Sequence, residues 1–192
     1  MKIVGGGYRD ENDLRNLGIG AVGPNVRIHE TAILVDIERI EIGSNVRIDP
    51  FCVLSAAGGY IRLGSYIHIA SQSNLIGGYG IEMEDFSGIS QGVKIYSASD
   101  DYSGASLTNP TVPKRFLNIK SGLVRLGRHV IIGSGSAILP GVVIEEGSAV
   151  GAMSLVTKSL DAWGVYSGVP VKRLKGRKRD LLVAEAELVA AS

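Results

Sequence analysis

Few residues in this chain are suited to moving a proton near neutral pH. They are three histidines, His29, His68 and His129, and the run Asp100-Asp101-Tyr102, with Asn109 a few positions beyond. An imidazole or a carboxylate can take a proton from a reacting group or orient an ammonium ion. Each also has a plainer reading: a lone histidine is usually structural, and an aspartate at a loop mouth often closes an Asx turn. A third kind of chemistry lies in the basic run Lys172-Arg173-Leu174-Lys175-Gly176-Arg177-Lys178-Arg179. Lysine is an adequate point-charge partner for phosphate, although such runs are usually solvated. The solvated reading is the stronger one for Arg177 to Arg179. Cys52 is the only cysteine, which excludes a disulfide framework and a cysteine metal site. Three scattered histidines do not supply the convergent ligands of a zinc enzyme, so no metal is expected.

The elements that carry these residues follow from a repeat. Leu126, Ile132, Ile138, Ile144, Val150 and Val156 are spaced by six without a break, and their i+4 partners are Val130, Ser136, Val142, Ser148, Ser154 and Leu160. Upstream the rhythm continues as Val22, Ile28, Leu34; Ile42, Ile48, Leu54; Leu63, Ile69, Leu75; and Met83, Ile89, Ile95. A six-residue step is a short strand and a turn, and three steps close a triangular coil. Coils then stack as parallel sheet around ladders of inward aliphatics. Aromatics make up only 6% of the chain and glycines number 26, as a narrow repetitive core requires. The predicted fold is therefore all-β, a parallel β-helix of hexapeptide repeats. Successive triplets start 20, 21 and 20 residues apart rather than 18, which predicts bulges at coil corners near Gly58-Gly59 and Gly77-Gly78. Glycines such as Gly43, Gly127 and Gly133 are expected at turns for their backbone freedom.

From Met83 to Leu126 the step is 43 residues, one coil plus an insertion spanning 97–122 that holds Asp100, Asp101, Tyr102 and Asn109. Long irregular segments in compact proteins are usually functional, so this loop is expected to carry part of the functional site. Residues 1–21 form an N-terminal extension with a short helix near Asp10–Gly18, 22–176 the β-helix, and 177–192 a C-terminal helix. Both helices are expected to cap the open ends of the stack. Twenty basic residues against nineteen acidic ones argue against nucleic acid as a partner. No stretch reaches the roughly 20 apolar residues of a membrane span, and Met1 to Gly7 lack the apolar core of a signal peptide. A cytoplasmic location is expected.

The ordered C-terminal run is specific. Val130-Ile131-Ile132-Gly133-Ser134-Gly135-Ser136, Ile138-Leu139-Pro140-Gly141-Val142, Gly151-Ala152-Met153-Ser154-Leu155-Val156-Thr157-Lys158 and Ser167-Gly168-Val169-Pro170-Val171-Lys172 together resemble the hexapeptide acyltransferases of the maltose and galactoside O-acetyltransferase group. Two further runs, Ile48-Asp49-Pro50-Phe51-Cys52-Val53-Leu54-Ser55 and Ile95-Tyr96-Ser97-Ala98-Ser99-Asp100-Asp101-Tyr102-Ser103-Gly104, are similar to the sugar-nucleotide acetyltransferases of O-antigen gene clusters. The dTDP-4-amino-4,6-dideoxyglucose acyltransferases are the example. The resemblance implies a left-handed β-helix, a homotrimer with active sites between neighbours, and acetyl-CoA as acyl donor. It places CoA contacts on Ser134, Ala152, Thr157, Lys158, Lys172 and Lys175.

The same resemblance exposes a departure. The hydroxyl-acylating relatives carry a catalytic histidine where this chain has Asp100, and an active-site asparagine where it has Ala70. A hydroxyl needs a base, whereas an amine attacks a thioester as its neutral form and sheds its proton afterwards. Asp100 or Asp101 would suit that role, so the expected reaction is N-acetylation of a nucleotide-linked amino sugar for surface polysaccharide. Tyr102 and Asn109 are expected to contact the sugar. A related group carries a second histidine near the acetyl group, which His68 would match. O-acetylation of a sugar hydroxyl with His68 as base, or a non-catalytic scaffold, are the alternatives.

Overall fold

A computed structural model describes residues 6–191; most of the N-terminal run read as lacking an apolar leader lies outside them. The described chain winds into six coils, each with one strand on each of three faces. The first face carries Ala21–Val22, Ile40–Ile42, Ile61–Leu63, Ile81–Met83, Val124–Leu126 and Val143–Ile144. The second carries Arg27–His29, Arg47–Ile48, His68–Ile69, Gly88–Ile89, Ile131–Ile132, Ala149–Val150 and Gly164–Gly168. The third carries Ile33–Val35, Val53–Ser55, Asn74–Ile76, Lys94–Tyr96, Ala137–Ile138 and Leu155–Val156. Pairing between coils is parallel and in register, as in Ile48↔Ile69 and Ile89↔Ile132. The fold is a left-handed parallel β-helix with a protruding loop and short terminal helices.

The six-residue ladder is the core. Leu126, Ile132, Ile138, Ile144, Val150 and Val156 are all buried, and so are the i+4 residues from Val130 to Leu160. Four inward serines complete the ladder by donating to corner carbonyls, Ser73 to Ser90, Ser136 to Gly151, Ser148 to Asp161 and Ser154 to Ala152. The extra residues fall at the corner between third and first faces. There Gly58 adopts φ +84°, and a Cβ on Gly59 would meet the Gly77 carbonyl oxygen at 2.3 Å.

Two expectations are corrected. Gly43, Gly127 and Gly133 do not take positive φ; they are glycines because the next coil lies against them. A Cβ on Gly133 would sit 2.4 Å from the Ala152 nitrogen, and one on Gly43 2.6 Å from the Gly64 oxygen. The left-handed residues stand two positions on, at Asn45, His129 and Gly135. Where first and second faces meet, that position is filled by Asn25, Asn45, Tyr66, Phe86, His129, Gly147 and Trp163. Tyr66 and Phe86 stack with centroids 4.7 Å apart, and Phe86 and His129 at 5.2 Å. Bulky residues rarely adopt this conformation, so the stacked column offsets local strain.

The second correction concerns the ends. The N-terminal helix, Glu11–Asn16, is held by a capping box between Asp10 and Asp13 and buries Leu14 beside the first coil. The C-terminal helix, Leu181–Ala190, buries no residue and lies beside the fifth coil rather than across the stack. Glu185 pairs there with Arg128 and with His129 at 2.6 Å. Antiparallel strands close the edges of the second face instead, Tyr8–Arg9 on Arg27–His29 and Val171–Gly176 on Gly164–Gly168. Arg177 is no solvated tail. Its Nη1 donates to the carbonyls of His129, Gly147 and Ser148, and burial lowers its pKa.

Candidate active site

The three faces differ outwardly. On the first, Glu41, Arg62, Glu82 and Arg125 alternate in sign on successive rungs, with Arg62 at 3.1 Å from Glu41 and Arg125 at 3.3 Å from Glu145. On the third, the outward residues are mostly apolar, Ile33, Val35, Val53, Ile76, Tyr96, Ala137 and Leu155 standing beside Ser55, Asn74 and Lys94. A largely apolar sheet face bounded by a charged one marks a surface that water is meant to leave.

The second face carries a groove. Beside its corner with the third face, Asp49, Ala70, Ser90, Gly133 and Gly151 stack on successive rungs, each backbone N–H donating to the following coil. The parallel outward line is Arg47, His68, Gly88, Ile131 and Ala149. Arg47, His68 and Ile131 carry long side chains and Gly88 none, so the groove opens over Gly88 between His68 and Ile131. It runs from Ser90 and Gln91 to Tyr66, Phe86 and Arg177. A Cβ on Gly88 would meet nothing closer than 3.5 Å, so the fold does not require glycine there; a small residue without a packing reason is common where a ligand approaches. His68 stands in the groove wall, its Nε2 2.8 Å from Asp49 Oδ2. Asp49 also accepts from Tyr8 Oη at 2.7 Å. Burial alone would raise the Asp49 pKa, but the Tyr8 and His68 hydrogen bonds and the nearby cations lower it overall. His29 and His129 are buried and serve the structure.

The loop springs from the corner between third and first faces, where Ala98–Ser99 pairs antiparallel with Lys120–Ser121. Asp100 stands at its mouth, and its carboxylate has no hydrogen-bond partner among the described residues. Asp101 differs: Oδ1 accepts the Ser103 N–H at 2.9 Å and Oδ2 the Ser106 hydroxyl at 3.1 Å. Hydrogen bonds from Ser103 lower its pKa. It closes the Asx turn that was the plainer reading. Asn109 does likewise, accepting from the Thr111 N–H at 3.1 Å, while Tyr102 is 91% exposed.

The residues expected at CoA divide between two corners. Ser134 and Ala152 occupy consecutive rungs where second and third faces meet, with Ser134 Oγ 3.2 Å from Gln91 Oε1. Lys172 continues this line beyond the Val169–Pro170 turn, paired with Ser167, and Lys175 pairs with Val165. Thr157 and Lys158 follow Leu155–Val156 at the opposite edge of the third face, on the loop's corner. That corner is the one facing away from the second face. One copy of the chain therefore keeps Asp100 apart from His68 and Ser90. Sequence reasoning missed Ser90 and the Asp49–Tyr8 pair, because outward positions carry no six-residue signal. Among the described residues no three His, Cys, Asp or Glu side chains are grouped to hold a metal ion. No described helix is long and apolar enough to cross a membrane.

No protein-family model matches the chain. It is 45% identical over 179 residues, 93% of each chain, to the dTDP-4-amino-4,6-dideoxy-D-glucose acyltransferase of Escherichia coli. Among solved structures it superimposes on AntD, an N-acyltransferase from Bacillus cereus, with a TM-score of 0.94 and 46% identity, covering 97% of this chain and 100% of that one for an aspartate variant bound to dTDP and coenzyme A. Other AntD structures hold dTDP-4-amino-4,6-dideoxyglucose with coenzyme A, or dTDP with 3-hydroxybutyryl-CoA. The AntD variants alter an aspartate and a serine ten positions before it, the separation of Ser90 and Asp100 here. The acetyltransferase domain of PglB from Neisseria gonorrhoeae shares the fold at a TM-score of 0.57 and 17% identity, over 78% of this chain and 57% of that one.

Proposed function

From a chain that belongs to the hexapeptide-repeat sugar-nucleotide acyltransferases and uses a CoA thioester as donor, we propose that the acceptor is the amino group of a dTDP-linked 4-amino-4,6-dideoxy sugar, acetylated within a homotrimer. The observation that carries this reading is Asp100, an uncommitted carboxylate at the loop mouth, in a loop that contains no histidine. A carboxylate can hold an ammonium and later take a proton from the tetrahedral intermediate, but it is a weak base for a hydroxyl. Ser90, ten residues earlier, offers a hydroxyl on the rung line of the groove. As the C–N bond forms, the thioester carbonyl becomes an oxyanion; Asp100 takes the nitrogen's proton and returns it to the departing CoA thiolate.

A three-fold assembly supplies what one copy lacks. If the apolar third faces meet about the axis, the loop corner of each copy adjoins the Ser90–Ser134–Ala152 corner of its neighbour. Asp100, Thr157 and Lys158 would then face Ser90, Ser134, Ala152 and Lys172 across a cleft. Small residues admit a thin pantetheine arm, and the lysines suit its phosphates. Asp101 and Asn109 shape the loop, and Tyr102 is left free to meet the sugar. O-acylation is the second reading, favoured by the His68–Asp49 pair alone.

The test is incubation with acetyl-CoA or 3-hydroxybutyryl-CoA and dTDP- or UDP-linked amino or hydroxy sugars, following thiol release and product mass. Asp100→Asn should lower kcat with little change in acyl-CoA affinity. Mixing separately inactive Asp100→Asn and Ser90→Ala subunits should restore about a quarter of the sites if the two residues come from different copies. No thiol release and no CoA binding by the parent protein would end the reading.

A further inference from the structure

Three segments remote in sequence converge on one imidazole. Tyr8 lies on the N-terminal strand, Asp49 follows Arg47–Ile48 on the second coil, and His68 opens its strand on the third. The Asp49 side chain is 13% exposed, while that of His68 is 45% exposed and reaches into the groove. A carboxylate only accepts and a guanidinium only donates, so Nε2, 2.8 Å from both Asp49 Oδ2 and Arg47 Nη2, bonds one of them at a time; with its proton on Nε2 the imidazole donates to Asp49. In the neutral ring Nδ1 then carries the free lone pair. Tyr8 Oη at 2.7 Å and Arg47 Nε at 3.0 Å both lie on Asp49 Oδ1, while Oδ2 takes the imidazole at 2.8 Å and a longer contact of 3.5 Å from Arg47 Nη2. With Nε2 protonated, the 2.8 Å approach of Arg47 Nη2 is no hydrogen bond, and the half-exposed guanidinium donates to Asp49 instead. The charged and titratable groups near His68 are thus Arg47, Asp49 and Tyr8, with Arg27 over the Tyr8 ring at 4.5 Å and Tyr66, His129 and Arg177 lining the groove.

We propose that Asp49 and Tyr8 are positioning residues that hold His68 as the base for the acceptor's first deprotonation, an inference that rests on the amino-sugar reading above. An amino sugar arrives largely as its ammonium form, which has no lone pair for attack. His68 Nδ1 takes one N–H proton and becomes imidazolium, its positive charge facing the Asp49 carboxylate. The freed amine forms the C–N bond to the thioester carbon. The intermediate's second proton passes through Asp100 to sulfur as the C–S bond breaks, and His68 returns its proton to solvent. The sum is ammonium plus thioester giving amide, thiol and one released proton.

The experiment is kcat and KM against pH for His68→Gln, Asp49→Asn, Asp49→Glu and Tyr8→Phe, with acetyl-CoA and dTDP-4-amino-4,6-dideoxyglucose. Sedimentation and circular dichroism verify that each variant is assembled. His68→Gln and Asp49→Asn should each lower kcat about 10²–10³-fold near pH 7, with acetyl-CoA KM within about twofold. Tyr8→Phe should have a smaller effect, and Asp49→Glu should recover part of the loss. The deficit should shrink as pH rises, because the acceptor then sheds its own proton; a merely structural defect would persist at every pH. A pH-independent deficit, or unchanged kcat in His68→Gln, overturns the relay. If His68→Gln is silent while Asp100→Asn lowers kcat, the relay fails and the amino-sugar reading stands. If the parent protein acylates no amino sugar, both fall.

Discussion

Two glycines on the same face and on adjacent coils should respond oppositely to one added methyl group. Gly88 and Gly133 both have negative or extended φ, so alanine strains neither backbone. At Gly88 the added carbon meets its nearest neighbour, the His68 carbonyl oxygen, at 3.5 Å, an ordinary contact. Gly88→Ala should therefore stabilise by about 0.5–1 kcal/mol, because the unfolded chain loses freedom that the folded strand never used. At Gly133 the carbon would lie 2.4 Å from the Ala152 nitrogen and 2.7 Å from the Gly151 carbonyl carbon. Those are backbone atoms, with no side chain to swing aside. Relief requires the fifth and sixth coils to separate, which stretches the Gly133–Val150 and Met153–Ser134 bonds, each 2.8 Å long. Overpacking of this kind costs about 1–3 kcal/mol. In a chain of this size, roughly 2–4 °C of Tm accompanies each kcal/mol. Thermal unfolding at fixed protein concentration should show Gly88→Ala up by about 1–4 °C and Gly133→Ala down by about 2–12 °C. If the two shifts share a sign, coil-to-coil approach is not what selects glycine at the strand ends.

Ile144→Ala removes a fully buried rung side chain and should destabilise by about 2–5 kcal/mol in urea unfolding. Arg177→Ala leaves the carbonyls of His129, Gly147 and Ser148 without their shared donor; a loss of about 1–3 kcal/mol is expected, with Arg177→Lys recovering only part because ammonium lacks the planar fork. The Asp49 carboxyl has a folded-state pKa below its ordinary 3.8, so its stabilisation is complete above that value and is lost as pH falls through the lower one. Asp49→Asn should accordingly flatten the fall in Tm below pH 4 while leaving the slope above pH 5 unchanged. Asp101→Ala removes the acceptor of the Ser103 and Ser106 bonds and should speed proteolysis within 97–122 with little change in Tm, since the loop lies outside the core.

The scaffold was legible because it is a periodic object. Each inward aliphatic from Leu126 to Val156 repeats at six and is buried, so the pattern that stabilises the coil is the pattern a reader can count. Even the interruptions were readable, since two or three residues above eighteen fit only a corner bulge and twenty-five only a loop. What the period does not encode is what lies between coils and beyond them. Gly133 was explained by its own backbone when its real constraint is Ala152, nineteen positions away in sequence and one rung away in space. Trp163 covers Gly147 for the same reason: a Cβ there would meet the indole ring at 2.4 Å.

The same logic explains why the site was only half legible. Inward residues must satisfy their own coil, so they repeat; outward residues answer to a ligand or a neighbouring copy, so they need not. Asp100 stands out in the sequence because the resemblance puts a histidine at that loop mouth and this chain does not carry one. Ser90 does not stand out, because a serine beside a coil corner looks like any other turn residue until the rung line Asp49–Ala70–Ser90–Gly133 is laid out in space. Asp49 is the sharper case. Forty-one residues separate it from Tyr8 and nineteen from His68, spacings that acquire meaning only once the coil length is known and the N-terminal strand is seen to fold back on the first coil. In a solenoid, chemistry is assembled perpendicular to the sequence, along the stack. The place to seek it is therefore where the outward ladder changes size or charge, and here that change runs from Arg47 and His68 to Gly88.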